Sequence, residues 1–421
     1  DYSKYKDGNK NKEGIELIID NKPDTSHDKP RTVSIHNALL HLFESDSYMP
    51  ILSNDHKEKI SKTFSRIYGI KNDDIDESLK EIKEKIEELN IVDTTKLHLF
   101  YDDNIKNIWQ GGLDFESKNM ILHGAPGTGK TYMTEKTIKS RKIIENNSEY
   151  ELVQFHPSYG YEDFIEGIKP IGLENGQMKF ALKNGVFKQM CIEAFIELRK
   201  NPSNPKKFYF IADEINRAEL SRVFGELLLC LEDDKRLKIV EGKVKGTKVK
   251  LPNSALWGKE NVVVFADSDD KLIDESKSTD KKEWYFGVPE NVYFIGTMND
   301  IDRSVDSFDM ALRRRFVWKH YRCDYDIIEN KYESDEKISE YIKCCENLNK
   351  HITSQKGFNL SDSYELGQSY FMKPNKLIKK ELERVWEENI SPILKEYLRS
   401  EYNENEIKNH LDYAKKLYIE N

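Results

Sequence analysis

Residues 119–131 read NMILHGAPGTGKT: an apolar run, an abrupt glycine-rich turn, then Lys-Thr opening a helical stretch. The octet from Gly124 to Thr131 fits G-x-x-x-x-G-K-[ST] in the strand–loop–helix setting which that pattern requires. Its glycines let backbone N–H groups turn inward around a phosphate, and the following helix adds the positive end of its dipole. Lys130 is placed to reach the β- and γ-phosphates, and the Thr131 hydroxyl to bind Mg²⁺. The expected cradle is Gly124, Ala125, Pro126, Gly127, Thr128, Gly129, Lys130 and Thr131, with Tyr132 directly behind it. Such a chain binds a nucleoside triphosphate.

Three further stretches supply what hydrolysis needs. FYFIADEINRA (208–218) is a buried-type strand ending in two acids. Asp213 is expected to position the Mg²⁺ ion, mostly through water, and Glu214 to orient and polarise the attacking water. VYFIGTMNDIDRS (292–304) is a second core strand that delivers Asn299 to its tip, followed by Asp300, Asp302 and Arg303. An amide there can hold the attacking water without adding charge. ALRRRF (311–316) offers Arg314 and Arg315 as guanidinium groups for a neighbouring subunit's γ-phosphate.

Around these motifs the grammar of the chain changes twice. Between 118 and 321 short apolar runs (NMILHG, ELVQF, FYFIAD, VYFIGT, FVWKHY) alternate with helical stretches, which predicts an α/β core with a parallel sheet covered on both faces. The part before it shows apolar residues at helical spacing: Ala38, Leu39, Leu42 and Phe43, then Ile60, Phe64, Ile67 and Tyr68. ESLKEIKEKIEELN (77–90) is one amphipathic helix, with Leu79, Ile82, Ile86 and Leu89 at intervals of three and four. EKISEYIKCCENLNKHI and KKELERVWEENISPILKEYLR return to helices after 323. The division expected is a polar flexible segment over 1–30, a helical module or linker over 31–112, the α/β core over 113–322 and a helical lid over 323–421. IKPIGLENGQMKFALKNG (168–185) reads as a hairpin turning at Glu174–Gly176, and the charged stretch 241–283 as a surface excursion.

Composition narrows the class. A length of 421 residues suggests more than one domain. A net charge of −9 excludes a globally basic nucleic-acid surface, so any DNA contact comes from one face or another domain. No apolar run approaches a membrane span and no signal peptide opens the chain. Five cysteines without a C-x-x-C pair argue against a disulfide framework or a zinc site built on cysteine, and the simplest reading is a reduced cytoplasmic protein. The first residue is Asp, which fits a truncated or processed chain.

GAPGTGKT, IADEINRA, GTMNDIDRS and ALRRRF, in that order, resemble the AAA+ superfamily, and more narrowly the McrB subunits of modification-dependent restriction systems. VQFHPSYGYEDFIEGIKP (153–170), FGELLLCLEDDKR (224–236), FGVPENVYFIGTMN (286–299) and LGQSYF (366–371) look like the same family, so the resemblance covers about 115 to 375. It implies an AAA+ P-loop core with a helical lid, assembled as a ring (a hexamer by analogy) with arginine fingers given in trans and Asn299 as the sensor. It implies a GTPase, the preference for GTP being linked to Met298-Asn299-Asp300-Ile301-Asp302, which brings Asp302 to the nucleotide. It also implies a McrC-type partner that stimulates hydrolysis and carries the nuclease, and DNA as the object moved. The hairpin resembles the helix-2 insert of this clade. Two departures stand out: relatives often carry His where Gln368 stands, and no Arg occupies the second-sensor position.

Two other readings fit parts of the pattern. DEINRA is shared with MoxR-like ATPases that remodel protein partners, and a nucleotide-locked scaffold would need no turnover. Glu241-Gly242-Lys243 matches an E-x-K fragment, but its only nearby acids upstream, Asp233 and Asp234, end the preceding helix, and cleavage is assigned to a partner.

Overall fold

The computed structural model describes residues 29–45, 48–88, 99–110, 117–145, 147–302 and 310–420. The polar segment expected over 1–30 falls outside them but for Lys29 and Pro30, and so do Arg303 and the stretch leading to the arginines. The chain divides into two compact units, one of residues up to Phe115 with Met133–Ser148, the other of Glu116–Tyr132 with Glu149–Asn421.

The first unit is helical: α1 (Lys29–Phe43), α2 (Asn54–Tyr68), α3 (Ile75–Glu88), α4 (Asp103–Gln110), and α5 (Lys130–Glu145) from Met133 onward. Ser53 caps α2, its hydroxyl accepting from the His56 N–H, and Gly69 ends that helix in the left-handed conformation at φ 70°. Ile60 and Phe64 pack with Leu79, Ile82 and Ile86 of α3 and with Ile105, Ile108 and Trp109 of α4. Leu79, Ile82 and Ile86 of the three-and-four spacing thus form a buried stripe on α3, while Leu89 lies outside the described residues. In α1 the outcome differs from the periodicity: Leu40 is buried, whereas Leu42 and Phe43 are exposed.

Among the described residues the strands belong to the second unit, save Ser148 at the start of the second strand. In chain order they are β1 (Asn119–Gly124), β2 (Ser148–Gln154), the hairpin β3 (Glu166–Glu174) and β4 (Gln177–Asn184), β5 (Lys207–Asp213), β6 (Lys238–Val240), β7 (Lys243–Lys245), β8 (Val264–Phe265), β9 (Trp284–Tyr285), β10 (Val292–Asn299) and β11 (Val317–Tyr321). The central sheet has the order β11-β1-β10-β5-β2. β1 pairs in parallel with β10 and β11, and β10 with β5. All the expected core strands are present, and the P-loop strand lies beside the strand of Asn299, with Gly124 opposite Asn299 in register. Phe210 of β5 and Phe294 of β10 pack with Phe164, Phe187 and Phe224 in one aromatic cluster, which covers the sheet. Parallel strands end on the same edge, so the polar residues after β1, β5 and β10 gather in one line.

The expected hairpin is found, and Asn175 and Gly176 form its two-residue turn at φ 51° and 76°. Glu241 and Gly242 repeat that turn chemistry between β6 and β7, at φ 52° and 74°, which accounts for the E-x-K fragment. The stretch 241–283 is more than a surface excursion. Val244, Leu251, Trp257 and Val262–Ala266 enter the main core, one or a few apolar residues at a time between charged ones. Trp257 Nε1 donates to Glu166 Oε2 at 2.8 Å, and Lys188, on α6 (Val186–Lys200), donates to the same oxygen at 2.6 Å. Both charged side chains are fully buried, and the Lys188 ammonium lies 4.4 Å from the Trp257 ring centre.

The lid follows as α7 (Tyr325–Lys331), α8 (Ile338–Thr353), α9 (Lys379–Val385), α10 (Ser391–Leu398) and α11 (Glu404–Ile419), packed around Tyr341, Leu348, Trp386 and Tyr418. A five-residue π-helical segment, Trp386–Ile390, separates α9 from α10 where the sequence reads as one helix. Pro392, which has no N–H to give, sits in the first turn of α10. Among the described residues no helix is long and apolar enough to cross a membrane.

Breaking the buried pair leaves an uncompensated charge. Glu166→Ala is expected to cost about 3–5 kcal/mol in urea denaturation, and the double change Glu166→Gln/Lys188→Met to recover most of that loss.

Candidate nucleotide-binding site

The loop after β1 is shaped by its glycines. Gly127 and Gly129 stand at φ 77° and 74°, a region that side chains with a Cβ avoid. Gly124 is required by contact as well, because a Cβ there would stand 2.1 Å from the Tyr321 carbonyl oxygen. Lys130 is 6% exposed and donates to Ala125 O at 2.8 Å, Gly124 O at 3.3 Å and Thr128 Oγ1 at 3.2 Å. Burial pushes its ammonium down to about 8, against the pull of Asp300, Asp302 and Asp213. Tyr132 is 64% exposed.

Asp213, at the end of β5, joins the loop to the sheet. Its Oδ1 accepts from Thr131 Oγ1 at 2.6 Å and from Thr297 Oγ1, on β10, at 2.5 Å. A hydroxyl beside a carboxylate is an oxygen donor set that fits Mg²⁺ bound with water and phosphate. Positive-φ glycines followed by a helix start fit the phosphates themselves.

Glu214 takes the left-handed conformation at φ 51°, a strained setting for a residue with a Cβ. Its Oε2 accepts from Gln154 Nε2 at 3.0 Å and Arg217 Nε at 2.8 Å. Asn299 Nδ2 donates to Asp302 Oδ2 at 3.0 Å, and Arg217 Nη2 lies 3.9 Å from that oxygen. Asn216 Nδ2 donates to the backbone oxygens of Asn299 (3.3 Å) and Asp302 (2.9 Å). Glu214, Asn299 and Asp302 are thus joined through Arg217 and Asn216, two residues of the DEINRA stretch whose part is visible only in the fold.

The arginines part company. Arg314 is 68% exposed, whereas the Arg315 side chain is 9% exposed and its Nε lies 3.1 Å from Glu232 Oε1 of the same chain. Arg313 stacks on Trp318, 5.1 Å from the ring centre. Gln154, Thr297 and Glu232 went unnoticed in the sequence because each acts on a segment remote in the chain. Gln368 is 5% exposed, and its Nε2 donates to Thr128 O at 2.7 Å. Beside it, Gly367 N donates to Pro126 O at 3.1 Å and Ser369 N to Gly127 O at 3.0 Å, so the lid grips the P-loop backbone.

Below this edge of the sheet Asp300 takes part in a different set of contacts. Its N–H donates to Gly124 O at 3.2 Å, and its carboxylate lies 3.0 Å from His123 Nδ1. Burial pushes the Asp300 carboxyl up, but the His123 hydrogen bond and the charges of His123, His320 and Lys130 outweigh it and leave it below its usual value.

Sheet order, P-loop, acidic strand end and helical lid together define an AAA+ P-loop core, a fold of nucleoside triphosphatases that work with a nucleotide and a divalent metal ion. The AAA domain family of the dynein-related subfamily matches residues 119–316, and the McrB alpha-helical lid domain matches residues 340–406. Within its class the chain is therefore an McrB-like AAA+ protein. It is 34% identical over 260 residues to the Type IV methyl-directed restriction enzyme EcoKMcrB subunit of Escherichia coli (strain K12), a match covering 60% of this chain and 47% of that relative. It is 25% identical over 224 residues to the Type II restriction enzyme BsuMI component YdiS of Bacillus subtilis (strain 168), covering 49% of this chain and 58% of the relative. The chain spans about half the length of these relatives.

If nucleotide phosphates come to lie beside Lys130, their oxygens favour its charged form and binding takes up a proton. With a starting value near 8, uptake is expected to be about 0.7 proton at pH 8.5 and about 0.1 at pH 7. Calorimetry in buffers of different ionisation enthalpy measures it.

Proposed function

We propose that this chain is the GTP-hydrolysing motor of a restriction system, a ring that couples turnover to DNA movement and to cleavage by a separate McrC-type nuclease subunit. The observation that carries the reading is the joining of the DEINRA and MNDID stretches at one sheet edge. Arg217 contacts both Glu214 and Asp302, while Asn216 holds the backbone of Asn299. In this reading Mg²⁺ sits at Thr131 and Asp213, Glu214 polarises the attacking water, and Asn299 fixes its position by hydrogen bonding alone. Asp302, through its contacts with Asn299 and Arg217, links the choice of GTP to the same turn. The McrB-type lid and the restriction enzymes among the relatives support this reading over a MoxR-like ATPase. With a net charge of −9, DNA is contacted through one local face or a further domain.

Turnover of GTP and ATP, measured with oligomeric state and with and without a McrC-type subunit, tests the whole reading. GTP turnover by a ring, stimulated by the subunit, is the expected result, and ATP-preferring monomers indifferent to it would sink the proposal. Glu214→Gln is expected to lower GTP turnover by about 10²–10⁴-fold with nucleotide binding retained.

The finger assignment has its own test. Arg314→Ala and Glu214→Gln chains are each expected to be inactive alone. If the guanidinium acts in trans, mixing the two regains part of the activity, since some interfaces then pair an intact Glu214 with an intact Arg314. No recovery on mixing places the finger elsewhere.

A further inference from the structure

The ends of β1, β10 and β11 carry a second set of polar groups that the nucleotide chemistry leaves unused. His123 and His320 are register partners on adjacent parallel strands, so their side chains leave the same face of the sheet. Their rings stack with centres 5.1 Å apart and planes 28° from parallel. Asp300, the residue after β10, turns its carboxylate to the same point, with His123 Nδ1 3.1 and 3.0 Å from its two oxygens. One donor atom from each of the three lies within 4.8 Å of the others, and among the described residues this is the one trio of His, Cys, Asp or Glu so arranged.

We propose that His123, Asp300 and His320 form a binding site for a divalent transition metal of the zinc class, separate from the Mg²⁺ assigned to Thr131 and Asp213. Two imidazole nitrogens and one carboxylate oxygen suit Zn²⁺, whereas Mg²⁺ takes oxygen ligands in an octahedron. In a tetrahedral site with bonds of about 2.0–2.1 Å, neighbouring ligand atoms stand about 3.4 Å apart. The His123–Asp300 contact is already near that length. The widest donor separation needs to close by about 1.5 Å at most, which the soft ring torsion of histidine allows. Water takes the fourth position.

A simple ion pair accounts for His123 and Asp300 but gives the second imidazole nothing to do, while a shared metal uses both rings. The flanks are filled: the Trp318 ring meets His123 edge-on at 5.5 Å, and Ser363 Oγ, from the lid side, lies 3.4 Å from Asp300 Oδ2. Lys130, whose charge also acts on Asp300, is held by the carbonyls of Gly124 and Ala125. A metal here ties the strand that leads into the P-loop to the turn that carries Asn299.

The test uses the full chain without an affinity tag, loaded with Zn²⁺, passed through gel filtration and assayed for bound metal. One equivalent retained, visible absorption bands of tetrahedral Co²⁺ on substitution, and a thermal midpoint raised by Zn²⁺ but not by Mg²⁺ are the expected results. His320→Gln is expected to weaken retention by roughly 100-fold or more while the metal-free chain melts as before. His123→Gln serves as an independent variant should the first fail to fold. A wild-type chain that retains no zinc overturns the proposal, and so does equal retention by both variants, which would put the metal elsewhere. None of these three readouts depends on nucleotide turnover, so the result stands apart from the proposed function.

Discussion

A single carboxylate oxygen ties the nucleotide edge together. Asp213 Oδ1 accepts hydrogen bonds from Thr131 behind the P-loop and from Thr297 on the neighbouring strand. Both donors reach it because the parallel register sets Gly296 beside Ala212, so Thr297 and Asp213 follow side by side. A slip of one residue would send every side chain of a strand to the opposite face and separate these groups. β5 and β10 are buried along most of their length, so such a slip would also misplace the large side chains of Phe208, Phe210 and Phe294 in the core. Core packing and site geometry are one constraint here.

The same logic explains what could be read from the sequence and what could not. The P-loop, the Asp213–Glu214 pair and the strand tip at Asn299 are local patterns, each visible within a dozen residues. The strand runs were legible because parallel strands buried on both faces are apolar throughout. Gln154 and Glu232 carry no such signal, and Gln368 stands out only by comparison with relatives. Their partners (Glu214, Arg315 and the Thr128 carbonyl) lie far along the chain, and only the folded sheet brings them near. The two adjacent arginines look equivalent in sequence. They differ because Glu232 takes one of them at 3.1 Å and reaches the other only at 4.0 Å.

The stretch 241–283 misleads for a different reason. Its apolar residues are scattered among lysines and aspartates, so no periodicity announces that Trp257 and Val262–Ala266 enter the core. The buried cluster of Glu166, Lys188 and Trp257 shows what holds it there. It joins the base of the β3–β4 hairpin, α6 and this excursion through one carboxylate. Buried charges of this kind contribute little net stability but penalise alternative arrangements, since any other packing strands a charge in the core.

The contacts between the lid and the P-loop limit how the parts can be exchanged. Gly127 and Gly367 face each other with no space for a Cβ on either: one at 127 meets Ser369 Oγ at 2.4 Å, and one at 367 meets the Gly127 carbonyl carbon at 2.1 Å. The mutual approach leaves three main-chain carbonyls of the loop, those of Pro126, Gly127 and Thr128, occupied by the lid. The lid is thus a counterpart fitted to one particular loop, and a chimaera that imports a foreign lid must import the glycine at its contact point too.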